Sequence, residues 1–199
     1  LSDATASQAE SGPRWHVVVG TLGLVYALGG ILMHLFFLAS VFFWKAMMSM
    51  AGLGDIEMPR VLVLSGLFQS AILLVLGVVL GIGSALVLAR RPRGAALLRF
   101  WAGARLVMVL LSLVVGVVLT RPQVDFQLEM AERQRDLILE RGGDPALVPV
   151  PERAQLERQV RWTTGGMALV VAAFPLFVGV LLTSRRKREE IEAWRLIDR

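Results

Sequence analysis

His34, Gln69 and Ser112 stand out in this chain because each is a polar side chain set inside a run of apolar residues. An imidazole or amide in hydrocarbon is costly, so such groups turn toward protein, water or a ligand. If the runs are helices bounded near Trp44, Val61 and Thr120, the helical rise places all three groups ~12–15 Å inside one boundary, in a shared layer. The plainest use of that layer is a hydrogen-bonded knot that fixes helix register. Two ligand uses stay open beside it: a lipid or pigment held near His34, and a path for a proton or ion.

Other chemistry is excluded more firmly. His16 and His34 are the only two histidines, and along one helix they stand ~27 Å apart, too far for a bis-histidine haem within one chain. A membrane-embedded hydrolase needs paired carboxylates, a serine with a base or an HExxH zinc site. No acid lies within an apolar run, and neither a Walker A nor a GxSxG pattern occurs. With no cysteine there is no disulfide and no thiolate ligand. The expectation is a chain that is not an enzyme and requires no cofactor or metal.

The elements that position these residues follow from composition. Of 199 residues 55% are hydrophobic, and the mean hydropathy is +0.63, too apolar for an ordinary soluble domain. The excess falls in four runs, over 15–44, 61–89, 100–120 and 162–184. Each is long enough to cross a hydrocarbon layer of ~30 Å as a helix. Arg105 interrupts the third run, ~8 Å from its start, close enough to snorkel back to the headgroups. The fold class predicted is therefore all-α, a polytopic helical membrane protein with four transmembrane helices.

The net charge of +5 comes from Lys and Arg at the ends of the runs, with no basic face interleaved with aromatics, so nucleic acid is not an expected partner. Arg90, Arg91, Arg93 and Arg99 follow the second run, and Arg185, Arg186, Lys187 and Arg188 follow the fourth. By the positive-inside bias both clusters face the cytoplasm, as do both termini, in what we expect to be a prokaryotic inner membrane. Residues 1–14 read as a flexible polar tail. The segment 185–199 reads as a basic amphipathic helix with Ile191, Trp194 and Ile197 against lipid. Between the third and fourth spans, residues 121–161 read as an outer helical hairpin with an arm of ~28 Å. The breakers Gly142, Gly143, Pro145, Pro149 and Pro151 punctuate it. Pro175 could kink the fourth span.

Small residues recur at packing intervals: Gly23, Ala27 and Gly30, then Gly77, Gly81 and Ala85, then Gly116, then Ala168 and Ala172. In lipid, close backbone approach is what lets helices associate. Together these features point to an accessory or scaffold subunit that binds lipid and other membrane proteins, or itself, through its helix faces and hairpin. A homo-oligomeric channel or transporter is the second reading, and a membrane sensor with an outer hairpin the third.

Overall fold

The computed structural model of the chain describes residues 14–54, 56–144 and 149–197. Most of the N-terminal tail, Pro145 and the side chain of Ile197 lie outside the described residues. Among the described residues the fold is all-helical. Six helices follow in order: α1 (Trp15–Met50), α2 (Arg60–Leu88), α3 (Pro92–Val118), α4 (Thr120–Glu140), α5 (Arg153–Thr183) and α6 (Arg185–Ile197). α1, α2, α3 and α5 are long and apolar enough to cross a membrane. Away from water, a peptide group has only intrahelical partners, which is why uncharged runs of this length coil.

Local residues set the helix ends. Pro59 precedes α2 and Pro92 opens α3, where the missing amide costs nothing. α2 stops at Arg90, a non-glycine residue in the left-handed region (φ 55°). There the Arg91 amide reaches back to the Leu86 carbonyl at 2.8 Å, which satisfies one of the last carbonyls of the helix. The turn into α3 is tight enough that a Cβ on Gly94 would meet the Val87 nitrogen at 2.6 Å and the Gly83 carbonyl oxygen at 2.8 Å. At the other end, α3 and α4 are nearly one helix, broken at Leu119. Pro122 lacks the amide that would have bonded Val118, and the helix resumes beyond that defect. Pro175 is buried within α5, which runs on through it.

The spanning helices pack in the order α1–α2–α3–α5, each against its neighbour. α1 and α2 run antiparallel in close register: Gly23 faces Ser84, and a Cβ on Gly77 would sit 2.9 Å from Ile31. The main core gathers at the end marked by Arg90, the basic end. It includes Val19, Leu80, Val87, Leu98, Trp101, Val178 and Leu182. A smaller core of Val124, Leu156 and Val160, with Leu128 against it, joins α4 to α5 at the opposite, hairpin end. Arg153 reinforces that joint through Asp125 at 2.6 Å.

Several boundaries differ from the sequence reading. α1 continues six residues past Trp44 to Met50, because Lys45 is a good helix former and no breaker precedes Gly52. α3 begins at Pro92 rather than Phe100, since Arg93 and Arg99 are helix-compatible and simply face outward, exposed. The hairpin arm is not free-standing. α4 leans over the end of α1, with Phe126 5.9 Å from Trp44 and Leu137 and Arg141 beside Gly52.

Candidate functional site

At the basic end the first and last helices are clasped together. Trp15 stacks on Trp194 at 5.5 Å and 9°, and its indole Nε1 donates to Glu190 at 2.7 Å. Lys187 donates to the same carboxylate at 2.9 Å and lies 5.0 Å over the Trp15 ring. His16 adds edge-on contacts to both tryptophans, and Arg90 donates from Nε to His16 Nε2 at 3.3 Å. This corrects the lipid-facing reading of α6: Ile191 and Trp194 are buried against the bundle, and Lys187 is largely covered. An amphipathic face docks on protein as readily as on lipid, and here Trp15 supplies the matching surface. Arg185, Arg186, Arg188, Arg90, Arg91, Arg93 and Arg99 remain exposed.

Beyond the core the helices part. Tyr26 of α1, Trp101 of α3 and Phe174 of α5 meet as an aromatic floor, with centroid separations of 4.9–6.0 Å. Above it α1 and α5 separate, leaving a cavity of about 650 Å³ walled by α1, α2, α3 and α5. Leu119 and Gln123, at the start of α4, cap it toward the hairpin end. Met33 on α1 and Met167 on α5 both line the cavity and are exposed, so the side opening lies between those helices. Its volume falls in the ~300–1,000 Å³ class of small-molecule sites.

All three residues of the expected polar layer line this cavity. Gln69 donates from Nε2 to Ser112 Oγ at 2.8 Å, and Ser112 donates in turn to the Met108 carbonyl at 2.7 Å. This pair links α2 to α3. His34 is in the same cavity but outside that hydrogen-bonded pair, bordering a narrow extension of it with Arg105. Sequence reasoning took Arg105 for a snorkelling residue. With α3 starting at Pro92, it instead stands midway along the helix, ~20 Å from either end. A helical side chain leans toward the N-terminus, and on that side Trp101, one turn earlier, and Tyr26 occupy the space. Arg105 lines both the cavity and its narrow extension, and among the described residues it has no hydrogen-bond or ion-pair partner. The signal for this was present, a single charge within a span, but its depth depended on where the helix began.

The small residues divide into two groups. Gly23, Ala27, Gly77 and Gly81 lie in the α1–α2 contact, and a Cβ on Gly116 would meet Thr164 of α5 at 2.7 Å. Gly30 instead has nothing within 4 Å of the position its Cβ would take, because it faces the cavity. Ala168 lines the cavity as well, and Ala172 is half-buried. Ala85 points outward, since α2 turns its neighbour Ser84 toward α1. Among the described residues no three of His, Cys, Asp and Glu gather in a way that would hold a metal ion. In comparisons with known proteins, no family model, no curated protein and no solved structure matches the chain.

Proposed function

We propose that this chain is a non-enzymatic subunit of a larger membrane assembly, in which another membrane protein covers the hairpin end of α1. The supporting observation is a mismatch of length. Trp15 is tied to Lys187 and Glu190, so its end of α1 belongs at a membrane–water boundary. Phe42 then lies ~40 Å along the helix and Met50 ~52 Å, beyond a hydrocarbon layer of ~30 Å even with ordinary tilt. Yet Phe42 is 80% and Met50 89% exposed, with Phe43 and Met47 also uncovered. Aromatic and methionine side chains standing clear of hydrocarbon are the composition of an interface core.

On this reading the assembly sits in a prokaryotic inner membrane, with Arg90–Arg93 and Arg185–Arg188 on the cytoplasmic side. Both clusters stand at one end of the bundle, as a common cytoplasmic face requires. A pore within a single chain finds less support, because the aromatic floor closes the cavity toward the basic end. The test is purification from gently solubilised native membranes. A second polypeptide in fixed stoichiometry, lost on Phe42→Ser/Met50→Ser, is the expected result. Recovery of this polypeptide alone would refute the proposal.

A further inference from the structure

We infer that the cavity between α1 and α5 is a binding site for a single-chain amphiphile with an oxyanion head, a carboxylate or phosphate, whose charge pairs with Arg105. The argument starts from cost. A guanidinium within the membrane is unfavourable unless paired or hydrated. Arg105 lies midway along a spanning helix, lines the cavity and has no protein partner among the described residues. Among the described residues no acidic side chain lines the cavity, so an anion that pairs with Arg105 there comes from outside the protein. A guanidinium favours planar or tetrahedral oxyanions, which accept two of its hydrogen bonds at once.

The surroundings of the cavity define the rest of the ligand. Apolar side chains such as Met33, Leu73, Val109 and Val171 dominate the walls, which suits a hydrocarbon tail. The opening between Met33 and Met167 faces sideways, so the tail enters from the lipid phase and can extend beyond the cavity. Below Arg105 the trio of Tyr26, Trp101 and Phe174 blocks passage toward the basic end. The ligand therefore sits head-down in a closed-bottomed site. Gln69 and Ser112, already paired with each other, mark the polar side of the wall.

The test uses the full chain in nanodiscs of zwitterionic lipid, with hexadecanoate, hexadecyl phosphate and uncharged methyl hexadecanoate as probes that displace a fluorescent fatty acid. Saturable binding of an anionic probe is expected, with the methyl ester at least about tenfold weaker, the range of one charge-assisted hydrogen bond. Whichever anion binds more tightly identifies the head as carboxylate or phosphate. Arg105→Gln should weaken the anions about tenfold and leave the ester unchanged, while Arg105→Lys keeps part of the affinity. Because Gly30 has free space around it, Gly30→Phe should fill the cavity and weaken every probe, with helix content unchanged. Equal binding of ester and anions, indifference to Arg105→Gln in a folded protein, or no saturable binding would overturn the inference.

Discussion

At the basic end Trp15, His16, Arg90, Lys187, Glu190 and Trp194 close the bundle, whereas at the hairpin end the same helices part around a cavity and leave Phe42, Phe43 and Met50 uncovered. The contrast separates two tasks. One half of the molecule holds the helices together through large, fully buried side chains and a tight turn. The other half uses its apolar residues to line a cavity and, on the proposed function, to meet a partner. In lipid, burial of apolar area does little to hold helices together, so close packing carries much of the fold, and it is tightest at the basic end.

Substitutions that treat the two halves alike should therefore have unlike effects. Trp101 is 1% exposed in the floor beneath the cavity, and Trp101→Ala should cost about 3 kcal/mol or more in unfolding free energy. Phe42→Ala should change the stability of the isolated protein by less than about 0.5 kcal/mol. Thermal unfolding in detergent measures both, and equal losses would erase the contrast. Gly94→Leu comes next: its Cβ would meet backbone atoms of Gly83 and Val87 in α2, and overpacking of this kind costs about 2 kcal/mol. Its readout is a lowered midpoint with aggregation.

Smaller changes sharpen the comparison. Trp194→Ala removes the stacking partner of Trp15, a loss of about 1 kcal/mol beyond the buried area, and should expose α6 to protease while the four long helices stay folded. Ser84→Ala is expected to act in the opposite direction. Its hydroxyl is fully buried against α1 without a hydrogen-bond partner among the described residues, and removing it should raise stability by about 1 kcal/mol. Smallest is Gln69→Ala, which breaks the bond to Ser112. Such bonds average about 0.6 kcal/mol in membranes, so this variant should barely shift the unfolding midpoint.

The features legible in the sequence were those set by local solvation. Long uncharged runs announced four helices, and helical rise alone grouped His34, Gln69 and Ser112, which now line one cavity. Relations between helices were less legible. Nothing in the apolar faces of α1 and α5 says that these helices separate, because Leu, Val and Ala suit lipid and protein equally well. The depth of Arg105 is hard to read from sequence because Arg93 and Arg99 resemble the end of a span, although exposed arginines are ordinary in the first turns of a helix. Trp194 was assigned to lipid for a related reason: the spacing of Ile191 and Trp194 defines a face but not what covers it.

Photo-cross-linking in native membranes reads directly whether protein covers the hairpin end of α1. A photoreactive residue at position 42 is compared with one at position 180, where Val180 is exposed on α5 within the spanning region. Position 42 should yield a discrete adduct with a second polypeptide and position 180 lipid adducts. Lipid adducts alone at both positions would contradict it.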